Sequence, residues 1–320
     1  MSVGPASGWL RSLRRYRQLA RITTVGVCVL VVAGGVVRLT GSGLGCDDWP
    51  NCNDERFIDV SSGHTAIEQL NRLLSGVIGV PTLLLVVAAF RQRETEGQPR
   101  AGLRWPAIGV LVTVLANGVV GGIAVRTDLH PALIQSHFLL AMLSISFGMI
   151  ALHRSRSVVS SESSPKSGEQ HDVVRRRLSV WIAGLTALAL ATGTVVTGTG
   201  PHAGDEDVRR FGFDISNVAR IHSVTVIVTL LVAAVLAWKL RSDGPSAFIS
   251  TLSAWLFVGL LQGVVGYTQY FNGVPELLVA IHIALATGLW VVTMRLVTLG
   301  TDVQFDEHHD EIVRVALRST

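Results

Sequence analysis

Leu277-Leu-Val-Ala-Ile-His-Ile-Ala-Leu-Ala-Thr-Gly-Leu-Trp-Val-Val-Thr-Met-Arg-Leu-Val297 is the stretch that decides how this chain folds. It is apolar over the roughly 20 residues a helix needs to cross a bilayer, and it carries a histidine, His282, near its start. An imidazole in hydrocarbon is costly and generally faces a bundle interior, so its position alone makes it a functional-site candidate. His222 and His137 lie in two other apolar runs. Three such histidines ask for one explanation.

Composition agrees with a membrane setting. Of 320 residues, 49% are hydrophobic and 16% charged, and the mean hydropathy of +0.46 is high for a soluble chain. A formal charge of +4 and a pI near 9.3 could suit nucleic acid. The arginines, however, cluster between apolar runs rather than along one face, as membrane topology requires, so no nucleic-acid partner is expected. Cys28 lies inside the first apolar run. Cys46 and Cys52 lie in the loop after it, at a spacing that suits a small disulfide-closed loop in an oxidising compartment. No CxxC or Cys/His zinc pattern occurs.

Arginines from Arg11 to Arg21 precede an apolar run from Ile22 to Val37, with no clear cleavage site after it. This reads as a retained first helix with a cytoplasmic N-terminus. Polar, glycine-rich residues 38–65 follow on the outer side. Further spans are expected at about 66–90, 105–125, 132–152, 178–198, 217–238, 247–270 and 275–297. Arg91, Arg93, Arg100, Arg104, Arg154, Arg156, Arg175 to Arg177, Lys239 and Arg241 then fall inside, and only scattered arginines such as Arg56, Arg126, Arg209 and Arg210 fall outside. The expectation is an all-α polytopic membrane protein of eight transmembrane helices with both termini cytoplasmic. Residues 1–21 form the N-terminal segment, 22–152 a first four-helix half, 153–178 a Ser/Glu linker unable to bury a core, 179–297 a second half and 298–320 a tail, a candidate for a short cytoplasmic helix.

The halves repeat. Ala116-Asn-Gly-Val-Val-Gly121 matches Leu261-Gln-Gly-Val-Val-Gly266, and the same offset carries His137 onto His282. Thr40-Gly-Ser-Gly43 matches Thr197-Gly-Thr-Gly200, and Leu70-Asn71-Arg72 falls opposite Ile221-His222-Ser223. Two pseudo-symmetric four-helix bundles of the same topology are expected, related by an axis along the membrane normal. One mismatch stands out: Asn71 occupies the place of His222.

His222 and His282 fall near the outer ends of their helices, at similar depth. Two facing imidazoles in an apolar bundle suit a six-coordinate haem b with two His ligands. A hydrogen-bonded interhelical His pair is the plain alternative, and a metal ion held by two His without carboxylate or thiol fits less well. In the first half His137 has the same depth, while His64, Glu68, Asn71 and Arg72 share one helical face. Glu68 there either shuttles protons or only pairs with Arg72. His202, in the loop Gly200-Pro-His-Ala-Gly-Asp205, reads as a surface or propionate-contacting residue, and Trp49-Pro50 as an interfacial cap. Gly118, Gly121, Gly122, Gly259, Gly263 and Gly266 read as packing positions. His130, His153, His171, His308 and His309 are given no chemistry.

Arg38-Leu-Thr-Gly-Ser-Gly-Leu-Gly-Cys-Asp-Asp-Trp-Pro-Asn-Cys52, Ile67-Glu-Gln-Leu-Asn-Arg-Leu-Leu74 and the Thr-Gly-Thr-Gly-Pro-His-Ala-Gly-Asp loop with His222 and His282 together resemble the haem A synthase family, in its cysteine-pair-containing bacterial type. The resemblance covers nearly the whole chain. It implies a membrane oxidoreductase of the bacterial plasma membrane that oxidises the C8 methyl of haem o to a formyl group by successive hydroxylations, supplying haem a to cytochrome oxidase. It implies haem b as cofactor on His222 and His282, haem o as substrate in the first half, Glu68 as essential carboxylate, His137 as a haem-facing ligand, and a loop disulfide between Cys46 and Cys52. Family members with an ExxH motif have histidine where this chain has Asn71, so a two-histidine clamp on the substrate is lost unless His64 substitutes. A five-coordinate substrate haem on His137 is the expectation. The electron acceptor, docking on haem o synthase (the protohaem farnesyltransferase) and a homo-oligomeric state are left open by the resemblance. A di-haem electron carrier without substrate chemistry is the competing reading, and a transporter suits the repeat but not polar groups placed away from the midplane.

Overall fold

Apolar side chains surround each span on all sides, leaving no face for water, so each folds as a helix buried in lipid or in its neighbours. In the computed structural model the described residues are 12–92, 100–157, 169–205, 207–241 and 245–301. They form α1 (Leu13–Leu39), α2 (Gly63–Arg91), α3 (Arg104–Arg126), α4 (Pro131–Ser157), α5 (Glu169–Thr199), α6 (Ile215–Leu240), α7 (Ser246–Phe271) and α8 (Glu276–Thr301), with one 3₁₀ turn at Arg100–Leu103. All eight are long and apolar enough to cross a membrane, and no strand occurs among the described residues. Polar residues set two starts. Ser62 and Thr65 exchange hydroxyl and amide bonds at the head of α2, at 3.2 and 2.9 Å. At the head of α6, Asp214 accepts the Asn217 amide at 2.9 Å.

Boundaries differ from the sequence reading at the N-terminal segment and at both ends of the linker. α1 starts at Leu13 inside the segment assigned to the N-terminal lead, because its first turns are amphipathic. Tyr16, Leu19 and Ala20 are buried, and the Tyr16 hydroxyl donates to the Leu103 carbonyl at 2.9 Å. The assigned linker is likewise shorter: α4 runs to Ser157 and α5 begins at Glu169. The tail beyond Thr301, with its proposed helix, lies outside the described residues.

Each set of four helices closes into a ring: α1 on α2, α2 on α3, α3 on α4 and α4 on α1, then α5 on α6, α6 on α7, α7 on α8 and α8 on α5. The order of neighbours is thus the same in both halves. The halves meet where α1, α4 and α8 pack together, with α4 also on α5. Val27, Val31, Ala141, Met142, Ile145, Trp290 and Met294 form the core of that seam. Trp290 crosses it by donating to the Met142 carbonyl at 2.9 Å and the Ser146 hydroxyl at 3.1 Å.

The two ends of the bundle differ. Among residues with described side chains, every acid lies at the end holding residues 40–62, 127–130, 200–214 and 272–275, the histidine end. The opposite end, the arginine end, carries Arg14, Arg15, Arg17, Arg21, Arg91, Arg104, Arg154, Arg156, Arg175 to Arg177, Arg241 and Arg295. The two closed cores within the halves sit toward the arginine end, around Tyr16, Leu85 and Ala107 and around Ile182, Leu236 and Phe248. At the histidine end the bundle is hollow.

Candidate functional site

Each of the three intramembrane histidines lies against a glycine of the preceding helix. A methyl group added at Gly121 on α3 would stand 3.0 Å from Cε1 of His137 on α4. One at Gly193 on α5 would stand 3.1 Å from Cε1 of His222 on α6, and one at Gly266 on α7 would stand 3.1 Å from Cε1 of His282 on α8. The absent side chain is what lets each ring lie in the helix-helix seam. Gly121 and Gly266 read from sequence as packing positions, and the structure shows what they pack. Gly193 gave no sequence signal beyond being small.

The hydrogen bond of His222 with Thr192 suits one tautomer. Thr192 reaches the Leu188 and Ala189 carbonyls of its own helix with its hydroxyl at 3.0 and 3.1 Å, and when it donates there its oxygen accepts from Nδ1 of His222, 3.1 Å away. In that tautomer Nδ1 carries the proton and Nε2 keeps a free lone pair, the arrangement of a metal-ligating imidazole. Nδ1 of His137 and of His282 are buried with no hydrogen-bond partner, as is Oδ1 of Asn71. In both rings Nδ1 lies on the edge turned toward the glycine, 3.3 Å from the Gly121 Cβ position for His137 and 3.7 Å from that of Gly266 for His282, which leaves Nε2 as the nitrogen available to a ligand. Gln262 anchors the backbone of His282 by donating to its carbonyl at 3.0 Å.

In the first half the sequence reading places His64, Glu68, Asn71 and Arg72 on one face. The structure brings Glu68, Asn71 and Arg72 to the same cavity wall as His137. His64 stands apart: it is exposed on the first turn of α2, with Nδ1 3.0 Å from the Ser42 hydroxyl, and does not line the cavity. The chain passes so close above it that Gly45 has no room for a side chain beside the His64 carbonyl. Glu68 is 5% exposed and is saturated with donors. Oε2 accepts the Cys46 amide at 2.7 Å, and Oε1 accepts Nε and Nη2 of Arg72 at 3.0 and 2.6 Å. Nη1 of Arg72 continues to the Asp48 and Asn51 carbonyls at 2.8 and 3.0 Å. The Glu68–Arg72 pair thus exists and holds the loop that Cys46 and Cys52 close as a disulfide. Trp49 of that loop lies over Gly122 and lines the cavity, so it faces inward rather than serving as a lipid-interface anchor.

These groups share one cavity of about 1590 Å³, lined by His137, His222 and His282 and by residues of both halves. That exceeds the roughly 300–1,000 Å³ of a site for one drug-sized ligand. Three arginines that sequence reasoning gave no role, Arg38, Arg209 and Arg220, line it; none is within salt-bridge distance of an acid among the described residues, although the Asp214 carboxylate is near enough to Arg220 to feel its charge. His202 lines it too, with Nε2 donating to the Val274 carbonyl at 2.7 Å, so that nitrogen is not a free ligand. Its own carbonyl accepts Nε of Arg38. No cluster of three or more His, Cys, Asp or Glu suited to a bare metal ion occurs among the described residues. Paired or single imidazoles in an apolar hollow, with cations nearby, instead suit a metal that brings its own equatorial ligands and acidic substituents, as an iron porphyrin does.

The family profile of the cytochrome oxidase assembly protein, COX15-CtaA, matches residues 17–62 and 57–294. The chain belongs to this family. Among similar proteins, a heme A synthase of Bacillus cereus (strain 03BB102) is 26% identical over 306 residues, covering 90% of this chain and 94% of its own. A heme A synthase of Bacillus anthracis (strain A0248) matches to the same extent, and one of Bacillus cereus (strain G9842) is 25% identical over 309 residues, with 91% and 95% covered. The matched segments of the COX15-CtaA family take in all the cavity-lining residues named above.

Proposed function

We propose that this chain is a haem A synthase, a membrane oxidoreductase that converts the C8 methyl of haem o to the formyl group of haem a. The single observation that carries this reading is the joint opening of His137, His222, His282 and Glu68 onto one arginine-lined cavity, in a chain of the COX15-CtaA family. His222 and His282 would hold haem b, which supplies one-electron chemistry when bound. His137 would hold the substrate haem. Asn71 leaves the opposite face of that substrate without an imidazole, so five-coordinate iron is expected there. Arg38, Arg209 and Arg220 would receive the propionates. The Glu68 carboxylate, fixed by Arg72 and the Cys46 amide, would take up or relay protons released as the methyl is oxidised. The histidine end would face outside and the arginine end the cytoplasm, which accords with the distribution of arginine.

The test is pigment extraction from cells that express the chain and supply haem o. Haem a should appear, and its absence would refute the proposal. Glu68→Gln should cut haem a formation by about 10²–10⁴-fold while the haem b spectrum persists, since general acid-base groups contribute on that scale. An unchanged yield would instead favour an electron carrier. Bis-histidine spectra for both haems would overturn the five-coordinate assignment at His137.

A further inference from the structure

The arginine end holds a charge arrangement that the haem chemistry does not use. Arg17 and Arg21 on α1, Arg156 on α4 and Arg295 on α8 gather where these three helices meet, at the seam of the two halves. Arg156 is an electrostatic neighbour of Arg295, Arg17 and Arg21. Arg17 is held in place by Ser155, donating to its carbonyl at 2.5 Å and to its hydroxyl at 3.3 Å. Arg21, Arg156 and Arg295 are exposed, and none of the four has an acidic partner among the described residues. Beside them is a hollow of about 390 Å³ lined by Arg15, Gln18, Leu19, Arg21 and Ile22. It continues into the exposed apolar stripe of Ile22, Val25 and Val29.

Four like charges brought together across a joint between two bundles push that joint apart unless an anion sits among them. The anion has to be reachable from the membrane border, where Arg21 and Ile22 adjoin. We infer that this seam is a binding site for the phosphate headgroup of an anionic phospholipid, whose acyl chain lies along Ile22, Val25 and Val29. Basic pockets between membrane helices recognise such headgroups. The lipid then serves as the counter-charge that lets the two halves close.

Native mass spectrometry of the full chain, offered phosphatidylglycerol and phosphatidylcholine in equal amounts, tests the site. The wild type should retain phosphatidylglycerol preferentially. Arg156→Gln and Arg295→Gln should each weaken that preference by about fivefold, the effect of one arginine at an anionic surface. In nanodiscs of phosphatidylcholine alone the variants should unfold at the same temperature as the wild type or higher, because repulsion is relieved; a merely structural role would lower it. An unchanged lipid preference in the double variant overturns the proposal. So does equal stabilisation of the wild type by inorganic phosphate, which would make the ligand a free anion. A preference that emerges only after deletion of residues 302–320 would show that the acidic tail, not a lipid, occupies the seam.

Discussion

At the scale of single residues, three imidazoles lie where three glycines permit them. Each ring touches the place where a Cβ would stand at 3.0–3.1 Å, tighter than ordinary van der Waals contact. Gly266→Val should therefore push the His282 ring out of its seam and weaken haem retention by about tenfold or more, a loss typical of disturbed ligand support. The ratio of bound haem to protein after gel filtration measures it, and the same substitution at Gly288, which is exposed, lies outside the cavity and meets no atom within 4 Å, is the control. His282 itself was conspicuous in the sequence as a charge-capable group in hydrocarbon. The hydrogen-bond partner of His222 was not legible, because Thr192 comes from a different helix.

At the scale of elements, the loop between α1 and α2 is the most cross-tied piece of the histidine end. Arg72 of α2 grips it from one side; Arg126 of α3 grips it from the other through the Asp48 carboxylate at 3.0 Å and the Trp49 carbonyl. Losing the disulfide by Cys46→Ser should lower stability by about 2–4 kcal/mol, read from thermal unfolding with and without reductant. Acid should loosen the same loop. The Trp49 amide and Arg126 hold the Asp48 carboxyl below its ordinary range, and Ser61 does the same for Asp59. A depressed native value stabilises the fold above the unfolded aspartate pKa of about 3.9, and that contribution fades as pH falls toward the native value. Amide exchange over residues 45–61 should therefore quicken, relative to the helices, below pH ~4. The cysteine spacing and the polar character of this loop were readable in sequence. Its inward lean was not, since Trp49 turns in only because Gly122 on a different helix leaves room.

At the scale of the whole molecule, two closed rings of helices share one hollow end and one filled end. The seam between the rings is tied by few polar contacts, of which those of Trp290 are buried. Trp290→Phe removes the donor together with the pyrrole part of a buried indole, so unfolding should become easier by about 1–3 kcal/mol. A calorimetric transition shifted down by several degrees would show it, and no shift would mean that Trp290 does not hold the seam. The segregation of arginines from acids adds a second constraint on the same joint, proposed above to be met at the arginine end by lipid.

Hydrophobic length determined the eight spans by itself, since a chain segment in lipid has no alternative to the helix for its backbone groups. Charge placement and the repeated Asn/Gln-Gly-Val-Val-Gly motif likewise made the two-half plan and the candidate residues His137, His222, His282, Glu68 and Asn71 readable without coordinates. What only the tertiary structure decided is which neighbours those residues have. His64 shares a helical face with Glu68 yet sits outside the cavity, because one turn at a helix start is enough to carry it into the loop. Arg38 lies far in sequence from Arg209 and Arg220, yet the three line a single hollow because the packing of one ring on the other brings the end of α1 against the loop after α5, where Arg38 donates to the His202 carbonyl. Periodicity along a chain specifies local structure, whereas a site depends on side chains from different helices arriving at one depth, and that follows from packing.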